Sequence, residues 1–346
     1  MDSPVLVTGG TGFIGRFVVR QLLRDGNRVR ILCRSRSKAV QLFGDQVDIV
    51  VGNLLDTESV SRACADIHTV IHIGGAYCFG AAHRKHLMEV NVQGTRHLLI
   101  AASRRRVEKI VHVSSASLLQ KQNAPAGEND FVSQPAWCGH YKRSKWAAEI
   151  CALQWARRGL PLSIASLSSP VGPEDETPTP TGRIILDFLQ GRFPFLAHTG
   201  LNFIPVRDCA DGILAVARNG ANGSRYLITG RNLWLGEFLG IVSRFAKRPA
   251  PRWTVPWPLI ALAGLTGEIL GRFSGHLGQR ICWETAYFAR RSQFFNPAKT
   301  REELGWTPVE SIESAVQQAV EWFCPDLAEP GTDCPQPLPL SDVLAH

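Results

Sequence analysis

Residues 5–24 read VLVTGGTGFIGRFVVRQLLR. A short β-branched run ends in a cluster of glycines, and a helical pattern follows at once. Gly9, Gly12 and Gly15 fall at the spacing GxxGxxG. Missing Cβ atoms let backbone approach a ligand closely. The helix start offers unpaired N–H groups and a partial positive charge. Together these suit a pyrophosphate, with Phe13 and Ile14 inside the same turn. A lone glycine pattern is weak evidence, and the strand before it and helix after it give it weight. The bland alternative is a tight turn with no ligand.

The unit repeats along the first half. Val5–Thr8, Val29–Cys33, Asp48–Val51, Val70–Ile73 and Ile110–Ser114 read as strands. Each is almost continuously apolar, as strands covered on both faces are. Phe13–Arg24, Thr57–Cys64 and about Lys85–Arg104 read as helices, with Gly26 ending the first. This order predicts an α/β fold, a Rossmann-type doubly wound parallel sheet. A polar stretch with Pro and Gly runs to about Cys138. A helix over Gly139–Arg158 and a strand over Leu162–Leu167 follow. From Ser169 the pattern becomes irregular and predicts a smaller mixed α/β substrate lobe. The expected division is 1–168 for a nucleotide-binding domain and 169–323 mainly for the lobe, some of whose segments can return to the sheet. Residues 324–346 form a proline-rich tail.

Composition narrows the classes. The 346 residues are 45% hydrophobic and 20% charged, an ordinary globular balance. The net charge of +8 suits an anionic ligand. Its densest run, Arg104–Arg106, sits at a helix end without any nucleic-acid motif, so no nucleic-acid partner is expected. Nine cysteines without a CxxC pair imply reduced thiols and a cytoplasmic setting. His68/His72 and His83/His86 lack a third ligand nearby and read as structural, so no metal is expected. Met1–Pro4 runs straight into a strand, unlike a secretory leader. Val255–Leu270 is apolar but interrupted by prolines, glycines and Glu268, too short to span a bilayer. It leaves open a peripheral membrane contact or an apolar, lipid-like substrate.

The end of the second strand bears on the cofactor. An acid there would bind ribose hydroxyls and select NAD. The chain has CRSRSK instead, with Arg34, Arg36 and Lys38, which suit a 2′-phosphate and favour NADP(H) over NAD. The alternative is a solvated basic loop. Asn53 and Leu54 close the third strand, and the Asn53 amide can bond an adenine edge with either half.

Tyr141 and Lys145 lie four apart in GHYKRSKWAAE, hence on one helix face. Hydride transfer to a ketone needs a proton for the forming alkoxide. A tyrosine at its usual pKa of about 10 does this poorly, and a neighbouring ammonium favours the phenolate. Lys145 can also hold ribose hydroxyls. Ser115, at the end of the Ile110–Ser114 strand, can position the substrate oxygen. Cys138, three residues before Tyr141, is a candidate for thiol sensitivity.

TGGTGFIG, VSSAS and YKRSK together resemble the extended short-chain dehydrogenase/reductases, the NAD-dependent epimerase/dehydratase group. The resemblance runs to about Phe323. It implies Ser115, Tyr141 and Lys145 as the catalytic set, with Ser114, Gly75 and Pro170 of SPVGP beside the cofactor. NVQGT with Asn91 and NPAKTREELGW look like further family landmarks. GHYKRSK, PTPTGRII and TGLNFIPVRD are similar to the hopanoid-associated sugar epimerases, which sit near dihydroflavonol 4-reductases. The resemblance also suggests a homodimer. Reductases and epimerases share the three residues. The basic 34–38 segment favours a reductase. ARRSQFF, with Arg290 and Arg291, departs from the RxGD stretch of nucleotide-sugar epimerases. Trp234, Trp253, Trp257 and Trp283 add apolar surface to the lobe. The expectation is NADP(H)-dependent reduction of a hydrophobic or cyclic ketone. A sugar epimerase or dehydratase with retained NAD(P) is the alternative. A non-catalytic NADPH sensor is the third reading, and the presence of both Tyr141 and Lys145 argues against it.

Overall fold

The computed structural model describes residues 4–133, 139–192, 196–251, 253–271, Ala286 and 292–325, with backbone alone at 267–271. Cys138, Trp283, Arg290, Arg291 and the tail beyond Pro325 lie outside the described residues. Seven parallel strands form the main sheet. They are β1 (Val5–Thr8), β2 (Val29–Cys33), β3 (Val47–Val51), β4 (Thr69–His72), β5 (Lys109–Ser115), β6 (Leu162–Leu167) and β10 (Arg225–Ile228). Their order is β10-β6-β5-β4-β1-β2-β3.

Alternation along the strands feeds two cores. Val5 and Val7 of β1 join Phe17, Val18 and Leu22 of α1 (Phe13–Arg24) and Ile213 of α8 (Val206–Asn219). Leu6 points the other way. It joins Val60 of α3 (Thr57–Ala63), Leu98 and Leu99 of α5 (Gly94–Arg104) and Ala152 of α6 (His140–Arg157). A sheet covered on both faces is what the unbroken apolar runs require. Strand order reverses between β1 and β4, so a crevice opens there at the carboxyl ends of the strands.

Local signals set the helix starts. The Asp56 carboxylate accepts from the backbone N–H groups of Glu58 and Ser59 and caps α3. Gly26, at φ +76°, takes the left-handed backbone that follows α1.

Two elements differ from the sequence pattern. A helix, α2, spans Arg36–Phe43, between the second and third strands, where the sequence reading assigns no helix. Ser35 caps it by accepting from Lys38 N, but only Ala39 and Phe43 are buried, too few to make an apolar stripe. The long helix expected over Lys85–Arg104 comes in three pieces. A short α4 (Arg84–Leu87) leads into a π-turn at Met88–Gln93 and then α5. Extra residues in a turn of this kind often mark functional positions.

A second core lies beyond Ser169. Strands β7 (Ser169–Val171), β9 (Gly200–Pro205) and β11 (Arg231–Trp234) form a small sheet in the order β11-β9-β7. It packs with α7 (Pro180–Leu189), α9 (Leu235–Ala246) and α12 (Ile312–Phe323). Thr179 caps α7, with Pro180 at its first position. A two-strand pair, β8 (Leu196–Ala197) with β12 (Thr254–Val255), precedes α10 (Trp257–Gly271). Helix α11 (Ala298–Leu304) follows. Strand β10 and helix α8 leave this half of the chain and complete the main sheet and its cover. Among the described residues no helix is long and apolar enough to cross a membrane.

Candidate active site

The glycine turn lies at the carboxyl end of β1, in the crevice. Gly9 has φ +73°, and a Cβ there would lie 2.7 Å from Gly74 N. A Cβ on Gly15 would lie 2.0 Å from the Gly9 carbonyl oxygen. Gly12 differs. Its added Cβ would meet only Gly9 O, at 3.2 Å, and it caps α1 without a side-chain acceptor. Two glycines therefore shape the turn, and the third keeps the helix start clear. This cradle fits a dinucleotide pyrophosphate. Phe13 and Ile14 are partly buried against the core below, anchoring the turn. Gly15→Ala should destabilise the fold by about 1–3 kcal/mol, because the clash is with backbone and no rotamer relieves it. Dinucleotide binding should fall with it. Thermal melting and a cofactor titration check both.

Strand β5 delivers Ser115, and the first turns of α6 deliver Tyr141 and Lys145. The Ser115 hydroxyl lies 2.8 Å from the Ser117 hydroxyl and accepts from Ser117 N. Lys145 donates to the Val113 carbonyl at 2.9 Å, which ties α6 to β5. Tyr141 packs into an aromatic cluster. Its ring centroid is 4.4 Å from Tyr77 and 5.8 Å from Phe79, both from the loop after β4. Asn91, from the π-turn, locks this corner. Its side-chain amide donates to Ala76 O and to the Ser144 hydroxyl, while its oxygen accepts from Ala76 N. Ser144 in turn donates to Tyr141 O.

The electrostatics under α6 centre on Glu149, which is fully buried. It accepts from Ser114 Oγ and from Arg225 Nε, the latter at 2.6 Å. Arg225 opens β10, donates to Glu128 O at 3.0 Å and lies over the Phe131 ring at 4.2 Å. Burial pulls the Lys145 ammonium down to about 8, against the opposing pull of Glu149. Burial and the Lys145 charge hold His72 and His112 neutral. His72 bonds the hydroxyls of Thr8 and Thr95, a structural role.

Other residues singled out in the sequence are placed as follows. Arg34 and Arg36 are exposed beyond β2, while Lys38 Nζ donates to Glu176 at 2.7 Å. The Asn53 oxygen accepts from Leu55 N and Asp56 N, so only its amide nitrogen is left for an adenine edge. Leu54 packs against Gly94, where an added Cβ would meet the Leu54 Cβ at 2.7 Å. Gly75 lies beside the Asn91 amide, and Pro170 sits in β7. The Ser114 hydroxyl donates to Glu149 in the buried network, on the face of β5 opposite the Ser115 side chain. Glu149 and Arg225 were not apparent from sequence. An acid at four-residue spacing after Tyr141 and Lys145 was the available signal for Glu149.

Comparison with known proteins identifies the family. Residues 5–229 match the NAD dependent epimerase/dehydratase family. The chain is 34% identical over 330 residues to a Synechocystis protein described as "Putative dihydroflavonol 4-reductase", covering 93% of this chain and 95% of that one. It is 32% identical over 320 residues to sterol demethylase protein B of Methylococcus capsulatus, covering 92% and 97%. The crystal structure of gox2253 superposes with a TM-score of 0.81 at 35% identity, covering 93% of this chain and 98% of that one. The chain is an enzyme of the NAD dependent epimerase/dehydratase family, an extended short-chain dehydrogenase/reductase.

Proposed function

We propose that the protein is an NADP(H)-dependent oxidoreductase that reduces a ketone on a hydrophobic or cyclic substrate, or oxidises the corresponding alcohol. The observation that carries the substrate class is the aromatic cluster of Tyr77 and Phe79 against Tyr141. Tyr77 is 50% exposed, so an apolar face borders the proposed proton donor. A planar or alicyclic ketone gains from such a wall. The names of the Synechocystis and Methylococcus relatives point to compounds of the same character, a dihydroflavonol and a sterol. Exposed Leu259, Leu262 and Leu265 of α10, with Trp253 before it, support contact with a lipid-like substrate or a membrane surface.

A bound nicotinamide supplies the hydride. Gly9, Gly12, Gly15, Phe13 and Ile14 would hold its pyrophosphate. Arg34, Arg36 and Lys38 would take the 2′-phosphate, and Asn53 the adenine. In this reading Ser115 orients the ketone oxygen and Tyr141 Oη gives its proton to that oxygen. Lys145 stabilises the resulting phenolate while it is an ammonium. With Lys145 near 8, kcat/KM for ketone reduction should be level below that pH and fall as pH rises through it. Removing the carboxylate charge in Glu149→Gln should move the break to lower pH. A pH–rate profile of both proteins checks the sign.

The test of the function is a fluorescence titration of the purified protein with NADPH and with NADH, followed by a ketone screen. Selective, exchangeable NADPH binding and ketone-dependent NADPH oxidation are expected. A stoichiometric NAD that survives purification, with turnover of nucleotide sugars, would replace this reading with the epimerase cycle.

A further inference from the structure

Two glutamates from the segment after β7 reach across to the nucleotide side of the molecule. Glu174 accepts from Arg20 at 2.6 Å and from Arg16 at 3.2 Å. Glu176 accepts from Arg16 Nη1 and from Lys38 Nζ, each at 2.7 Å. Arg16 is buried and also donates to the carbonyls of Thr11 and Gly12 in the glycine turn. Burial opposes ionisation of both glutamates, but hydrogen bonds and charge from Arg16, Arg20 and Lys38 outweigh it and hold both below the usual carboxylate range. Both are therefore anions at neutral pH. Glu174 also holds a left-handed backbone, φ +68°, that a non-glycine residue adopts at a cost. The segment is drawn tightly onto α1 and α2.

The position of Glu176 matters because of what Lys38 faces. Lys38 lies in the first turn of α2, directly after the end of β2. The ribose of a dinucleotide lies at that strand end in this sheet architecture. No acid follows β2 in sequence, yet Glu176 brings a carboxylate there from 138 residues away. Among the described residues it is the ion-pair partner of Lys38. Arg16 keeps Glu174 and two carbonyls when Glu176 lets go, whereas Lys38 keeps no carboxylate among the described residues.

We propose that Glu176 is a specificity-determining residue that limits the preference for a 2′-phosphorylated dinucleotide. The Lys38–Glu176 pair occupies a cation that the 2′-phosphate needs, and the remaining carboxylate repels the phosphate. A ribose with a free 2′-hydroxyl leaves the pair intact. Both side chains are 40% exposed, so the pair is cheap to break and the effect is graded. The inference rests on the reading that the 34–38 segment takes a 2′-phosphate.

The test is an equilibrium titration with NADPH and NADH of the full chain, Glu176→Gln, Lys38→Ala, Arg34→Ala and the Glu176→Gln/Lys38→Ala double variant. Glu176→Gln should tighten NADPH by roughly fivefold, the upper end for an exposed ion pair, and leave NADH within about twofold. The gain should shrink in the Lys38→Ala background, where only the repulsion is left to relieve. An unchanged NADPH affinity, or equal shifts for both cofactors, overturns the role of Glu176. If Lys38→Ala and Arg34→Ala weaken NADPH selectively while Glu176→Gln does nothing, only this inference falls. If none of the variants alters selectivity, the 2′-phosphate reading falls with it.

Discussion

Tyr141→Phe should lower turnover by about 10²–10⁴-fold while dinucleotide affinity stays within about twofold. The substitution removes one oxygen and keeps the ring that packs against Tyr77 and Phe79, so the aromatic corner survives. Asn91 and Ser144 hold the backbone of that turn through Tyr141 O, which the change does not touch. The loss should therefore appear in kcat and leave the melting temperature within a degree or two. Steady-state kinetics beside a cofactor titration separate the two. Turnover near the wild-type rate would remove Tyr141 as proton donor, and a parallel loss of dinucleotide affinity would mean the phenol serves binding instead.

The second large effect is on stability. Arg225→Met should destabilise the protein by about 3–5 kcal/mol, since it leaves the Glu149 carboxylate buried without its guanidinium partner. That is a large share of the 5–15 kcal/mol typical of a folded protein. Adding Glu149→Gln to Arg225→Met should recover most of the loss, because removing both charges of a buried pair is far cheaper than removing one. Urea unfolding at neutral pH measures both. A double variant as unstable as Arg225→Met would show that the contact with Phe131, not the charge, was what mattered.

The fold was legible where burial on both faces leaves continuous apolar strands. β1, β2 and β6 match the sequence boundaries, and β3, β4 and β5 match within a residue or two. The glycine turn was legible because its strand and helix flank it. Helix α2 was not, since two buried residues make no periodic stripe and only the Ser35 cap announces it. The π-turn was not, because its extra residue leaves the helical pattern outwardly continuous. Within the candidate site, Ser115, Tyr141 and Lys145 could be read from local spacing. The Arg225 partner of Glu149 could not, because 76 residues separate them and nothing local ties an arginine at a strand start to a helix far upstream. Glu176 and Lys38 pose the same difficulty over a longer separation.

That separation has a consequence for how the chain acquires its structure. Strands β1 to β6 are complete by Leu167, but the sheet edge beside β6 stays open until residues 225–228 arrive. Until then the buried face of α6 carries an acid without its counter-ion, and α8 has not yet covered β5 and β6. On a ribosome, the first 168 residues would emerge as a nascent layer with an unprotected strand edge, a species prone to pairing with other chains. Closure of the sheet and neutralisation of Glu149 then come in one late, long-range step of the slow kind.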